Sequence, residues 1–282
     1  VSAASTARVL PEASTLAELV EVERLDRDLF RSLATVQDVQ GLYGGQVMAQ
    51  ALRAAGATVA PGYLAHSMHA YFVRPGDPGE PVIFRTTATR DGRSYAARRV
   101  VAVQHAEVLL ELSCSFHVPE EGPDLQAATT PAAATPGPLA GQRVATRAFG
   151  VEFRDAQPES ELPSPTRVWA RVADPVPDPD PHLHACMIAY VSDMCSGLFT
   201  LADFDWHVQL TSIDHALWFY RPAPSGWLIM DLAGESVAHG RGHYRGRLFD
   251  ESGVLVAGLA QESLFRKIAR RRPHTIVRQA EQ

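Results

Sequence analysis

The sequence predicts an α+β protein made of two fused copies of one unit, each a central helix wrapped by an antiparallel β-sheet. Three observations carry this reading. The first is an internal repeat: Arg74-Pro75 and Arg221-Pro222 lie 221 − 74 = 147 residues apart, and each follows a strand of the type His-Ala-aromatic, HAYFVRP and HALWFYRP. The second is a run of strand-like segments after each candidate helix, punctuated by hairpin signals such as Asp91-Gly92. The third is the stretch 185–201, ACMIAYVSDMCSGLFTL, which is apolar on nearly every side and so predicts a helix enclosed by sheet.

Taken in order, residues 1–12 show no pattern and read as a frayed end. Residues 15–31 form a short amphipathic helix followed by an extended segment. Gly44-Gly45-Gln46 then opens a helix whose apolar face is Val47, Met48, Ala51, Leu52 and Ala55, and which ends before Pro61-Gly62. LAHSMHAYFV, VIFRTTAT, SYAARRVVAVQ and VLLELSCSFHV make a meander, with turns at 74–79, Asp91-Gly92 and His105-Ala106. Residues 119–145, dominated by Pro, Ala, Gly and Thr, read as a linker. VEFRD and TRVWARV are strands, and a Pro-Asp-rich loop after them should leave His182 and His184 solvated. The helix 185–201 follows, and then the strands TSIDHALWFYR, WLIMDLAGESV, HGRGHYRGRLF and VLVAGLAQESLF. The chain thus divides into an N-terminal unit (1–119), a linker (120–145) and a C-terminal unit (146–282).

Composition narrows the function. The 282 residues carry a formal net charge of −6, which argues against nucleic acid as a partner. No apolar window is long enough to span a bilayer, and the N-terminal stretch has no signal-peptide core. A cytoplasmic protein without a membrane partner is the expectation. Three cysteines with no CxxC pattern predict free thiols. No HExxH or comparable spacing occurs among the 11 histidines, so neither a metal nor a cofactor is expected.

The candidate chemistry centres on Asp193, the one carboxylate in the apolar helix. At helical spacing Ala189, Ser192, Asp193, Ser196 and Thr200 share a stripe. A carboxylate there loses hydration and must find partners or take a proton. The repeat sets Gln46 opposite Asp193 (193 − 46 = 147) and Cys114 opposite Gln261 (261 − 114 = 147). Ser212 falls on Ala65 (212 − 65 = 147), or on His66 if the longer HALWFYRP contains a bulge. One copy therefore carries Asp, Ser and Gln where the other carries Gln, Ala or His, and Cys, the pattern of one working and one lapsed site. Taken singly, Ser212 and Gln261 are ordinary strand residues, and His69 and His215 read as packing residues.

The segments GLYGGQVMAQAL, HSMHAYFVRPGDP, RDGRSYAARRVVAVQ, AYVSDM, TSIDHALWFYRP and GVLVAGLAQESLFR together resemble acyl-CoA thioesterase II, the TesB type, from about residue 15 to 267. The resemblance implies a double hotdog fold and hydrolysis of fatty acyl-CoA to free fatty acid and CoA. It implies a catalytic Asp, a Thr or Ser, and a Gln, which fall on Asp193, Ser212 and Gln261. Family habit implies a homodimer or homotetramer. The C-terminal IVRQAEQ lacks the peroxisomal tripeptide of some relatives. Gly45 and Gln46 at a helix start are candidate substrate contacts. Arg98 and Arg241, with Arg99, Arg245 and Arg247, are candidate partners for the CoA phosphates. No GxSxG motif occurs, which favours direct attack of water over an acyl-serine. Two further readings stay open at this stage. One is a double-hotdog acyl-CoA hydratase or dehydratase, which would want a His beside the Asp; the other is a non-catalytic acyl-CoA-binding protein.

Overall fold

Period-2 alternation along the strand segments gives each one an apolar face to bury and a polar face for solvent. In the computed structural model these faces join into one antiparallel sheet of twelve strands. The structure describes residues 11–36, 41–131, 149–157, 160–162, 165–174, 180–201, 208–222 and 226–267. The first copy supplies α1 (Leu16–Val20), β1 (Val22–Asp26), β2 (Leu29–Ser32), α2 (Gly44–Gly56), β3 (Leu64–Phe72), β4 (Ile83–Asp91), β5 (Tyr95–Gln104) and β6 (Glu107–His117). The second supplies β7 (Val151–Asp155), β8 (Arg167–Val172), α3 (Pro181–Ser192), a 3₁₀ turn (Gly197–Thr200), β9 (Val208–Phe219), β10 (Leu228–Ala238), β11 (Arg241–Asp250) and β12 (Leu255–Lys267).

The strand order is β1-β2-β4-β5-β6-β3-β9-β12-β11-β10-β8-β7. It reads the same from either end once β1–β6 are exchanged for their counterparts β7–β12, so the two copies meet across β3 and β9. That central pairing sets Met68 against Leu217 and Ala70 against His215. The offsets 215 − 68 = 147 and 217 − 70 = 147 show that the strand repeat is exact in register at the centre. His215 is therefore the counterpart of Met68, and the two His-Ala steps noted in the sequence are one residue out of step. No residue is inserted in HALWFYRP. The register shift lies earlier and in both copies, between Ala65 and Ser67 in β3 and opposite Glu262–Ser263 in β9, where it skips Ile213. Ser212 is thus the counterpart of Ala65.

The helices do not keep the strand offset. Their starts differ by 181 − 44 = 137 and their ends by 192 − 56 = 136. The expected helix over 185–201 begins earlier, at Pro181, and stops at Ser192, with Asp193 as its C-cap. Ser196 then caps a separate 3₁₀ turn, its hydroxyl accepting from Leu198 N–H. Ser, Asp and Gly at 192, 193, 196 and 197 are poor helix formers that favour caps and turns, and this divides the apolar run. The single polar stripe expected across 189–200 does not form. Gln46, in the first turn of α2, is likewise not the counterpart of Asp193; by helix ends that place belongs to Gly56 and Ala57.

Both helices are buried, α2 over β4, β5 and β6, and α3 against α2 and β3. They run head to tail: a Cβ on Gly44 would lie 2.9 Å from Asp193 Oδ2, and one on Gly56 would lie 2.9 Å from His182 Nδ1. His182 is consequently part of the first turn of α3 and edge-on to Phe116, 5.8 Å between rings, rather than solvated in a loop. His184 also lies within α3. The segment 119–131 forms no helix or strand, yet it is tied to the second copy. Asp124 pairs with Arg221, and Gln126 bonds both Gly253 O and Leu255 N–H. Residues 1–10, where a frayed end is expected, the expected linker beyond 131 and the Pro-Asp run 175–179 lie outside the described residues. Among the described residues no helix is long and apolar enough to cross a membrane.

Candidate active site

Asp193 closes α3 at the point where that helix meets the start of α2. The first turn of a helix offers unpaired N–H groups and the positive end of its dipole. Tyr43, the N-cap of α2, supplies no side-chain cap. Asp193 fills the role across the helix pair, accepting from the backbone N–H of Gly45. Two absent side chains permit this approach. A Cβ on Gly44 would meet Asp193 Oδ2 and the Phe72 ring, each at 2.9 Å; one on Gly45 would lie 2.7 Å from Tyr190 O. Tyr43 and Tyr190 brace the junction, with the Tyr43 hydroxyl donating to Tyr190 O at 2.8 Å and the rings edge to face at 5.1 Å. Gly44→Ala should therefore displace the carboxylate and lower kcat by roughly tenfold or more, since a misplacement of about 1 Å can cost about a hundredfold. Steady-state kinetics on a folded variant check this; wild-type kcat would mean that the fit at Gly44 does not position Asp193.

The sheet brings two more polar side chains to the same point. Ser212 on β9 donates to Asp193 Oδ1 at 3.0 Å. Gln261 on β12 donates through Nε2 to Ser212 Oγ at 2.8 Å, and its side chain also hydrogen-bonds to Asp193. The Asp193 side chain is only 5 % exposed. Burial pushes its pKa above the usual 3.8, against the opposing pull of His215, Ser212, Gln261 and Gly45. A carboxylate made more basic and shielded from water is suited to accept a proton.

The structure adds a fourth member that sequence reasoning assigned to packing. His215 is fully buried, with Nδ1 against Gln261 Oε1 and Nε2 3.0 Å from Ser192 Oγ. Strict alternation would put Ser212 and His215, three residues apart, on opposite faces of β9. The bulge at Ile213 turns both toward the helices. The bulge occurs at the same register in both copies, so the repeat gives no sign of it.

The remaining candidates separate clearly. Gly45 holds the carboxylate, and Gln46 is buried beside it in the first turn of α2. Arg98 does not serve as a phosphate ligand. It is 4 % exposed, and its five N–H groups go to Thr58 Oγ1, Thr58 O, Asp91, Arg90 O and Ala97 O. That guanidinium seals the end of α2 against the β4–β5 hairpin. Arg241 pairs with Glu262 at 2.7 Å. Glu262 follows the inward Gln261 on β12, so this pair lies on the face of the sheet away from the helices and from Asp193. Arg99 and Arg245 are similarly paired, with Glu111 and Glu235. The cysteines are free; burial pushes the Cys114 and Cys195 thiols up to about 12 and the Cys186 thiol higher still. None is a thiolate at neutral pH, which removes them as nucleophiles. No cluster of His, Cys, Asp or Glu among the described residues could hold a metal ion.

The structure is thus a helix pair wrapped by one mirrored sheet, with a buried Asp–Ser–Gln set at the helix junction. Comparison with known proteins gives the family: residues 34–117 match the acyl-CoA thioesterase N-terminal domain and residues 119–265 the C-terminal domain, so the chain belongs to the acyl-CoA thioesterase family. It is 30 % identical over 280 residues to acyl-CoA thioesterase 2 of Haemophilus influenzae, covering 90 % of this chain and 97 % of that one. The crystal structure of acyl-CoA thioesterase II from Mycobacterium marinum is 36 % identical, with a TM-score of 0.75, covering 91 % of this chain and 98 % of that one. A protein with the hot dog fold from Alicyclobacillus acidocaldarius, 17 % identical with a TM-score of 0.71, covers 89 % of this chain and 98 % of its own and shares the fold.

Proposed function

We infer that this acyl-CoA thioesterase cleaves its substrate by direct attack of water, with Asp193 as the base. The observation that supports this is the convergence of Ser212 Oγ on Asp193 Oδ1 at 3.0 Å and of Gln261 Nε2 on Ser212 Oγ at 2.8 Å, at a carboxylate made more basic by burial. Asp193 takes a proton from water as the water oxygen bonds to the thioester carbonyl carbon. The C–S bond then breaks, the acid is released, and the CoA sulfur leaves as thiolate or takes up the proton. Ser212 and Gln261 hold the carboxylate and the attacking water in line. Neither is activated as a nucleophile by a separate base: among the described residues the base touching Ser212 is Asp193 itself, and His215 Nδ1 is 4.0 Å from Asp193 Oδ1, too far to relay a proton to it.

The hydratase reading asked for a histidine beside the aspartate, and His215 is there. Both its ring nitrogens, however, are engaged within the protein, by Gln261 and Ser192, and none of the ring is exposed. The test is purified protein with palmitoyl-CoA and a thiol-trapping reagent, combined with mass spectrometry of rapidly quenched enzyme. Free CoA with no acyl adduct is expected. An adduct on Ser212 or on a cysteine would replace direct hydrolysis with a covalent route, and enoyl-CoA turnover without CoA release would favour hydration.

A further inference from the structure

We propose that His215 is a positioning residue of this site, holding the Gln261 carboxamide with its nitrogen toward Ser212 and its oxygen away from it. The proposal rests on the reading of Asp193 as the base. Hydrogen-bond directions follow from that end. An ionised carboxylate only accepts, so Ser212, 3.0 Å from Asp193 Oδ1, donates to it. The Ser212 oxygen is then free to accept, and Gln261 Nε2 donates to it at 2.8 Å. A carboxamide has one donor end and one acceptor end. With Nε2 committed to Ser212, Oε1 faces His215 Nδ1, and because Oε1 cannot donate, Nδ1 carries the hydrogen. His215 is fully buried, and burial lowers its pKa, so the ring is neutral and Nε2 is a lone pair. Ser192 Oγ lies 3.0 Å from that lone pair and 3.0 Å from Ala189 O, and its one hydrogen is shared between the two acceptors. The donors of His215, Gln261 and Ser212 thus each point toward Asp193.

Without the ring only the Ser212 and Asp193 end of the amide is fixed. The terminal torsion of a glutamine is broad and nearly two-fold. A half turn would set Oε1 against Ser212, whose single hydrogen would then be contested by Gln261 and Asp193. It would also set Oε1 against the Asp193 carboxylate and Nε2 against the Nδ1–H of His215, donor to donor, so that His215 fixes the far end of the amide as Asp193 fixes the near end. The nearby Ser263 hydroxyl, 3.4 Å from Nε2, can both donate and accept and so imposes no direction. The first copy supports the assignment from within the chain. There Cys114 stands in the place of Gln261 and has no amide to orient, and Met68 stands in the place of His215.

The experiment measures kcat and KM for palmitoyl-CoA in five variants and wild type. His215→Met places the first copy's side chain at this register and should lower kcat by about 10- to 100-fold, the scale of a mispositioned group, with little change in KM. His215→Asn returns an N–H near the position of Nδ1 and should recover most of that loss. Combining His215→Met with Gln261→Ala should add nothing to Gln261→Ala alone, because His215 acts through that amide. Ser192→Ala, which releases the tautomer, should lower kcat several-fold by the same loss of positioning. Wild-type kcat in His215→Met, a His215→Asn as impaired as His215→Met, or full additivity in the double variant would each overturn the proposal. If His215→Met does not fold, unchanged kcat in Ser192→Ala overturns it. Failure of the underlying reading looks different: wild type would release no CoA, or Asp193→Ala would turn over normally.

Discussion

Replacing Asp193 by alanine is expected to lower kcat by about two to four orders of magnitude, the scale of losing a positioned general base. No described neighbour can substitute. His215 is held by Gln261 and Ser192, and the Tyr43 and Tyr244 hydroxyls are pushed well above their usual pKa by burial and by Asp193 itself. The fold should survive, because two effects oppose. The variant loses a cap on α2, worth about 1 kcal/mol, and also loses a buried carboxylate whose ionised form is costly to desolvate. The pH dependence separates the two. The folded-state pKa of Asp193 is raised above 3.8, so its protonated form is the one the fold prefers. Its contribution to stability is fully present below the unfolded-state value and is lost as pH rises through the raised value. Relative to wild type, Asp193→Ala should therefore gain stability as pH rises from about 4 toward neutrality, as read by thermal melts across that range. The acidic limb of wild-type kcat/KM should likewise lie above the ordinary carboxylate range. Near-normal turnover by a well-folded variant would remove Asp193 from the mechanism.

The elements that carry strong periodicity were legible in the sequence, and those that depend on junctions were not. Alternation and turn residues placed the strands of both meanders, and the 147-residue repeat anticipated that β3 and β9 would be related. The same repeat misled when extended into the helices. The connection from helix to strand is longer in the second copy, which drops the helix offset to 137 or 136, and nothing in a periodic pattern marks where such length is inserted. Asp193 was found because a carboxylate in an apolar run is conspicuous on its own. Its partner across the helix pair, the Gly45 N–H, lies 193 − 45 = 148 residues away and is brought to it by the packing of two helix ends that no local signal reports. Arg98 illustrates the converse. An arginine on an alternating strand reads as solvated or ligand-binding, yet its five N–H groups close a helix end that comes from elsewhere in the chain. His215 reads as a packing residue because a strand histidine is usually one, and the bulge at Ile213 that turns it to the same side as Ser212 leaves no mark in a periodic pattern.

The asymmetry between the copies leads to the second large effect. Gln261→Ala is expected to cost about 2–4 kcal/mol of transition-state stabilisation, the scale of removing one positioned donor from a water-excluded site. Gln261 is 4 % exposed and touches Ser212, His215 and Asp193 together, so its loss releases the serine as well as the water. Its counterpart, Cys114, is equally buried but holds nothing of the kind. Its thiol lies 3.7 Å from Arg98 O, Ala65 stands where the second copy has Ser212, and the helix end beside it is Gly56 and Ala57 rather than a carboxylate. Cys114→Ala removes a small apolar group and should lower Tm with little change in kcat, as expected for a modest cavity in a packed core. Gln46→Ala should have an intermediate effect, smaller than that of Asp193→Ala, because Gln46 is buried next to the carboxylate without being part of the hydrogen-bonded set. Steady-state kinetics and thermal melts on the three variants decide the matter. If Cys114→Ala lowered kcat as far as Gln261→Ala, the first copy would be contributing chemistry, and a single site at the junction of α2 and α3 would not account for the enzyme.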